Sequence, residues 1–251
     1  MDLGLRGKNV IVTGGSRGIG RSIALAFADE GANVAICARG ADALASVRSE
    51  LAARGVTAFA QSCDVGDATA LAGFLDAANA ALGGIDVLVN NPSGFGLGDG
   101  EEAWSLGFNV DMMAAVRASR QVVPWMEARG GGAIVHISSI SGMEGTTRQA
   151  AYAAMKAAMI SHSKSLALTL APKNIRVNCV CPGSVDTPLL EKEMDDLGGA
   201  DLQRLKFASR HPMNRIATPE EVANAVVYLA SDAASFVTGT ALPVDGGRAA
   251  W

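Results

Sequence analysis

Tyr152 and Lys156 lie one helical turn apart in an alanine-rich run from Gln149 to Leu170, which Pro172 ends. Such a run reads as a helix, and residues i and i+4 of a helix share one face. The phenol and the ammonium then point into the same space. A cation beside a phenol favours the phenolate and lowers a pKa that is ordinarily about 10. A phenol tuned in this way can exchange protons near neutral pH, as a general acid or base must. An ordinary helix face can also carry a Tyr-x-x-x-Lys pair, so its meaning depends on what the rest of the chain places around it.

The first of those surroundings is a glycine-rich turn. Asn9-Val10-Ile11-Val12 is a short apolar run that ends in Thr13-Gly14-Gly15-Ser16-Arg17-Gly18-Ile19-Gly20, and a helical pattern follows to Asp29. Glycines let the backbone turn tightly and approach a pyrophosphate, and the helix start adds N–H donors. Gly14-Gly15-Ser16-Arg17-Gly18 also spells G-x-S-x-G, the nucleophile elbow of α/β-hydrolases, and His211 is late enough to complete a triad. That elbow ordinarily follows several strands, whereas this turn follows the first. The hydrolase reading also leaves Arg17 and Gly20 without a role.

The later strands end in polar residues. Asn33–Cys37 leads to Ala38-Arg39, where an acid would bind a ribose 2′-hydroxyl and an Arg suits a 2′-phosphate. Thr57–Ser62 leads to Cys63-Asp64-Val65; Asp67 is the better helix cap, which leaves Asp64 to accept from an adenine amino group. Ile85–Val89 leads to Asn90-Asn91-Pro92-Ser93-Gly94, a turn-rich segment of the kind that borders ligands at the carboxyl edge of a parallel sheet. Glu101–Arg129 reads as one long helix with Asn109 in its middle, although Asn is a poor helix-interior residue. Ala133–Ile137 brings Ser138-Ser139 to its end, and Asn174–Val180 leads to Cys181-Pro182-Gly183 and Thr187. Residues 189–215 are charged and irregular with short helical patches, and residues 188–213 form a candidate lid. Thr218-Pro219-Glu220-Glu221 starts a helix, and Ala241–Val244 is a last short strand.

This alternation predicts an α/β fold: a single doubly wound Rossmann domain over residues 1–251, with a mostly parallel seven-stranded sheet and helices on both faces. Hydrophobic residues make up 49% of the chain but aromatics only 5%, so Ala, Val, Leu and Ile must fill the core. The net charge of −4 argues against a nucleic-acid partner. No window of about 18 apolar residues is free of charge, which argues against a membrane span. The N-terminus lacks the apolar core of a signal peptide, and a cytoplasmic protein is expected. Cys37, Cys63, Cys179 and Cys181 read as reduced core thiols, with Cys179 and Cys181 expected on opposite faces of a strand. His136, His162 and His211 show no metal-ligand spacing, and no metal is expected.

Taken together, the chain resembles the short-chain dehydrogenase/reductase family along nearly its whole length. The markers occur in order: Thr13-Gly14-x-x-x-Gly18-x-Gly20, Asp64, Asn90-Asn91, Asn109, Ser139, Tyr152-x-x-x-Lys156, then Pro182-Gly183 and Thr187. The resemblance implies a catalytic set of Asn109, Ser139, Tyr152 and Lys156. Tyr152 would be the acid for carbonyl reduction and the base for alcohol oxidation. Lys156 would lower its pKa and bond the nicotinamide ribose, Ser139 would hold the substrate oxygen, and Asn109 would position a water linking Lys156 to solvent. The cofactor set would be Gly14, Ser16, Arg17, Gly18, Ile19, Gly20, Arg39, Asp64, Val65, Asn90, Pro182, Gly183 and Thr187, with Tyr152 and Lys156. Phe95, Ser139, Met143, Gly183 and Leu189 would line the substrate pocket, with Leu97 a further apolar wall and Glu144 a polar exception. The family's Asn-Asn-Ala-Gly stands here as Asn90-Asn91-Pro92-Ser93, which removes a backbone donor and a residue free to take positive φ; Gly94 is expected to supply that freedom one position later.

The expected function is an NADP(H)-dependent oxidoreductase that moves a hydride between the nicotinamide and a ketone or secondary alcohol, similar to a 3-oxoacyl-thioester reductase. NAD(H) remains possible. The alternatives are an NAD-dependent dehydrogenase of a cyclic or sugar-like alcohol, and an idle dinucleotide-binding sensor or scaffold. An idle relative should have lost one of Asn109, Ser139, Tyr152 or Lys156, and all four are present. The partner is a small carbonyl or alcohol substrate. The apolar, Ala- and Met-rich helices over 101–129 and 149–171 imply a homo-oligomer, with a tetramer expected from the family.

Overall fold

The computed structural model describes residues 2–96, 98–147 and 149–250. Its strands are β1 (Asn9–Thr13), β2 (Asn33–Ala38), β3 (Ala58–Ser62), β4 (Val87–Asn90), β5 (Gly132–Ile137), β6 (Ile175–Pro182) and β7 (Ala241–Val244). They form one sheet in the order β3-β2-β1-β4-β5-β6-β7, and every pairing is parallel. β1 and β4 are buried at every position. A sheet covered on both faces needs such runs rather than an alternating pattern. The strand order reverses between β1 and β4, which opens a crevice at their carboxyl ends.

The helices are α1 (Gly18–Asp29), α2 (Ala41–Ala52), α3 (Ala68–Leu82), α4 (Glu101–Leu106), α5 (Ala114–Ala128), α6 (Ala150–Leu170), α7 (Pro188–Asp196), α8 (Ala200–Ala208) and α9 (Pro219–Ala230). One face of the sheet is covered by α1, α2 and α9 through Ile23, Phe27, Leu51 and Val226. The other is covered by α3, α5 and α6 through Phe74, Leu75, Val122 and Leu170. Local signals fix several starts. Asp67 accepts from the N–H groups of Thr69 and Ala70 at 2.8 and 3.0 Å, and so caps α3. Glu221 reaches back to the Thr218 N–H at 2.9 Å ahead of α9.

The short helical patches expected in the candidate lid are α7 and α8, and two other expectations are corrected. The helix expected over Glu101–Arg129 is broken between α4 and α5 by a π-helical turn, Gly107–Met113. Cys179 and Cys181 point to the same face, because residues two apart on a strand share a face; both pack with Ala115 and Met159. All four cysteines are buried, unpaired thiols.

Candidate active site

The glycine-rich turn runs from β1 into α1 beneath the sheet's carboxyl edge. Gly14 has φ 71°, and a Cβ there would come within 2.8 Å of the Asn91 amide nitrogen. That closeness is used: the Asn91 amide donates to the carbonyls of Thr13 and Gly14 at 3.2 and 3.1 Å, tying the β4 loop to the turn. Arg17 precedes α1 in extended backbone without capping it by its side chain, so the first N–H groups of α1 have no side-chain acceptor there. Gly18 has φ 52°, and a Cβ on it would approach Thr187 Cγ2 to 3.3 Å. Thr187 itself caps α7, accepting from the Leu190 N–H at 3.3 Å. The candidate lid therefore begins directly against the turn. Glycines with positive φ, an uncapped helix start and nearby exposed arginines fit a dinucleotide phosphate.

At the ends of β2 and β3, Arg39 and Asp64 are exposed and Val65 is buried. The Arg39 carbonyl accepts from Ser62 Oγ at 2.9 Å, which fixes its backbone. Among the described residues, no carboxylate forms an ion pair with Arg39 or Arg17. Asp64 Oδ1 accepts from the Gly66 N–H at 2.9 Å. The Asn90 side chain is turned inward: its amide nitrogen contacts Ser119 Oγ at 3.4 Å and His136 Nδ1 at 3.2 Å. A cofactor contact from Asn90 would have to come from its main chain.

Ser139 follows β5, and Tyr152 and Lys156 share a face of α6. Ser139 is buried and accepts from the Ser141 N–H at 3.1 Å; its hydroxyl is close enough to the Tyr152 phenol to lower the phenol's pKa. Lys156 is 2% exposed. Its ammonium donates to the Ile137 carbonyl at 3.0 Å and lies 5.5 Å from the Tyr152 ring centroid. Ser138 Oγ donates to the Lys156 carbonyl at 2.8 Å, pinning α6 to the end of β5. The ring of Phe95 meets the Tyr152 ring edge-on, with centroids 5.2 Å apart.

Asn109 does not join this group. Its amide nitrogen donates to the Gly66 carbonyl and its oxygen accepts from Arg117, both at 2.9 Å, so it braces the start of α3. The position facing Lys156 belongs to Asp111, whose carboxylate stands 3.1 Å from the ammonium. The other Asp111 oxygen accepts from the Gly94 N–H at 3.0 Å. Residues two apart lie on roughly opposite sides of a helical turn, whether α or π, so only one of the pair can face α6. A sequence signal did exist: Asp111 is an acid among Met112, Met113, Ala114 and Ala115 on a packed helix.

The carboxylate changes the electrostatics expected for Tyr152. Burial pushes its phenol up; Lys156 and the Ser139 hydrogen bond pull it down, and Asp111 and Glu193 push it up, with a net rise. Burial disfavours the Lys156 cation, but Asp111, followed by Tyr152, more than offsets this and its pKa is raised. The lowered phenol pKa read from the Tyr–Lys spacing alone is therefore corrected for the protein without cofactor.

The remaining expected pocket residues divide. Phe95, not Gly94, takes the positive φ of the β4 loop, at 45°. Met143 and Leu189 are exposed, and Gly183 is packed so closely that a Cβ would strike His211. Leu97 lies outside the described residues. His211 Nδ1 faces the Asp245 carbonyl at 2.5 Å and its Nε2 accepts from the Ser184 N–H at 3.3 Å. Both ring nitrogens are thus engaged far along the chain from Ser16, and the hydrolase triad is not assembled.

A family model described as Enoyl-(Acyl carrier protein) reductase matches residues 14–249. The chain belongs to the short-chain dehydrogenase/reductase family. It is 40% identical to the 3-oxoacyl-[acyl-carrier-protein] reductase of Chlamydia trachomatis over 96% of this chain and 97% of that protein. The L-sorbose reductase of Gluconobacter frateurii, complexed with NADPH and L-sorbose, superposes with a TM-score of 0.95 at 37% identity, covering 99% of both chains. A 7α-hydroxysteroid dehydrogenase complexed with NADH and 7-oxo glycochenodeoxycholic acid superposes with a TM-score of 0.91 at 34% identity, covering 98% of this chain and 96% of that one. Membership makes this chain an NAD(P)-dependent oxidoreductase of alcohol and ketone groups.

Proposed function

We propose that this chain is an NADP(H)-preferring reductase of ketones, with a 3-oxoacyl thioester as the leading substrate class. The observation that carries the reading is the meeting of Ser139, Tyr152 and Lys156 at the carboxyl end of β5. The turn residues Gly14–Gly20, with Arg17 and Arg39, would hold the adenosine phosphates, and Pro182, Gly183 and Thr187 would flank the nicotinamide end. When bound, the nicotinamide supplies the hydride that the protein itself lacks. Ser139 holds the substrate oxygen and Tyr152 gives it a proton, so charge that develops on that oxygen is met by two donors. The thioester class draws support from the Chlamydia relative.

A second reading, a sugar-like or cyclic ketone, is favoured by polar groups beside the expected pocket residues. Glu144 is paired with Arg248 beside the exposed Met143, and the two could exchange that pair for substrate hydroxyls. The likeness to L-sorbose reductase points the same way. The deciding experiment assays a 3-oxoacyl thioester, a ketose and a cyclic ketone with each nicotinamide cofactor. Preferential turnover of the thioester supports the leading class, and turnover of none of the three overturns the reading.

The same reading includes a homotetramer. Leu168 on α6 is 83% exposed and Phe236 ahead of β7 is fully exposed. Apolar groups so placed suit subunit contacts. A monomer mass by light scattering at micromolar concentration would remove this part. Among the described residues no helix is long and apolar enough to cross a membrane. With its four unpaired thiols, the chain suits the cytoplasm.

A further inference from the structure

Asp111 is an acid where the catalytic reading asks only for a neutral link to Lys156. Its side chain is fully buried and that of Lys156 is 3% exposed, so neither charge is screened by solvent. The carboxylate divides its oxygens between two neighbours. One faces the Lys156 ammonium at 3.1 Å; the other accepts from the Gly94 N–H at 3.0 Å, in the loop that presses Phe95 onto Tyr152. A small cavity beside it is lined by Asn90, Pro92, Asp111 and Ile137.

We propose that Asp111 is a positioning residue that sets the pH range in which Tyr152 works, by neutralising Lys156 and keeping the phenol protonated as a donor to carbonyl substrates. This deepens the reductase reading and rests on it. A lone buried ammonium would draw the phenol towards phenolate; an ammonium paired with a carboxylate exerts a much smaller net field. Alcohol oxidation needs the phenolate, so it is displaced to higher pH, while carbonyl reduction keeps its proton donor over a wider range. The Gly94 bond adds a mechanical link, because the same carboxylate that holds Lys156 also fixes the loop that carries Phe95.

Every charged or titratable group the structure places around the pair enters the account. Tyr152 faces Lys156 on its own helix, Asp111 on the π-helical turn and Glu193 on α7. Lys156 faces Asp111 and Tyr152, with Cys179 of β6 beside it, and its charge is also felt by His136 of β5 and Cys181 of β6. The thiols of Cys179 and Cys181 are held up to about 11 and about 12, chiefly by burial, so they stay neutral, and His136 is held down to about 3, chiefly by burial, so it stays neutral too. Among the described residues, Asp111 and Glu193 are the two carboxylates acting on Tyr152, and of these only Asp111 also touches the lysine.

The test follows the phenol itself. The chain has two tyrosines, Tyr152 and Tyr228, so the ultraviolet phenolate titration of the cofactor-free protein, differenced against Tyr152→Phe, isolates Tyr152. In wild type its midpoint is expected above the ordinary value of about 10. In Asp111→Asn, which keeps the shape and removes the charge, it is expected to fall by on the order of one pH unit, and the pH limb of alcohol oxidation should fall with it. Asp111→Glu should restore the wild-type limb if the charge matters, and should not if only the side-chain shape does. A wild-type midpoint at or below about 10 overturns the proposal even if Asp111→Asn fails to fold. So does an Asp111→Asn protein whose midpoint and limb stay where wild type has them. Absence of turnover in wild type with every substrate would instead fault the reductase reading, and the titration would still judge Asp111.

Discussion

The Lys156 ammonium lies over the face of the Tyr152 ring, 5.5 Å from its centroid, while it donates to the carbonyl of Ile137 at 3.0 Å. At that separation the cation acts on the phenol through its field and through the ring face. On the proposed reading, proton transfer to substrate falls to the Tyr152 hydroxyl, with Ser139 as its neighbour.

Tyr152→Phe keeps the ring, its edge contact with Phe95 and its cation above, and removes only the hydroxyl. Folding and cofactor binding should survive. Turnover should fall by roughly 10²–10⁴-fold, the usual weight of a general acid–base group. Steady-state kinetics beside a fluorescence titration of cofactor would check both halves. Wild-type turnover in this variant would sink the assignment.

Lys156→Met is expected to behave differently. It strands the fully buried Asp111 side chain without its counter-ion. Removing one partner of a buried pair typically costs about 3–5 kcal/mol, because the remaining charge must stay unpaired or take up a proton. Denaturant melts should therefore show a large loss for Lys156→Met and little change for Tyr152→Phe. Equal stability of the two variants would mean that the Asp111–Lys156 pair is not an energetic unit.

His136 gives the fold a separate pH dependence. Burial, and then the neighbouring His162 and Lys156, hold its pKa down to about 3 from an ordinary 6.5. A depressed folded-state pKa means that the unfolded chain binds the proton first. Stability is therefore complete above about 6.5 and is lost as the pH falls towards 3, at up to about 1.4 kcal/mol per pH unit from this group alone. Burial lowers His162 as well, which adds to the loss in the same direction. Denaturation midpoints of wild type and His136→Asn between about pH 7 and pH 5 should diverge in slope by nearly one proton. Parallel slopes would show that His136 titrates normally in the native state.

Much of this arrangement was legible because local signals and the global pattern agree. The apolar runs that became β1 and β4, the Asp67 cap and the Thr218–Glu221 helix start each report on their own neighbourhood. The i, i+4 spacing of Tyr152 and Lys156 sufficed because α6 is a regular helix at that point. The same reasoning failed for Asn109, since a motif letter does not say which way a residue faces across a π-helical turn. Asp111 and Asn109 differ by two positions and face opposite ways; only packing against α6 and α3 decides between them. The positive φ at Phe95 was likewise hidden. Gly94 looks the easier residue to twist, but a Cβ there would sit 2.9 Å from Leu106, so the close approach uses the glycine's small size and the strain falls on its neighbour.

Cofactor choice is expected to rest on Arg39. Ala38 ends β2 where an acid would repel a 2′-phosphate, and Arg39 follows, exposed, with its backbone fixed by the bond from Ser62 Oγ. Asp42, three residues on, is close enough in sequence to have captured the guanidinium, yet the two form no ion pair among the described residues. Arg39 is thus available for charge-assisted bonds to a phosphate, and Arg17, exposed ahead of α1, can approach from the other side. Hydrogen bonds to charged groups are worth about 1.5–3 kcal/mol each, and even after solvent screening two of them support a preference of tenfold or more for NADP(H). The comparison is kcat/KM with each cofactor in wild type and Arg39→Ala. Arg39→Ala should lose most of the NADP(H) advantage through KM while leaving the NAD(H) values nearly unchanged, since a 2′-hydroxyl offers the guanidinium no charge. A wild type that treats the two cofactors alike, or favours NAD(H), would remove the assignment, and a preference that survives Arg39→Ala would transfer the role to Arg17.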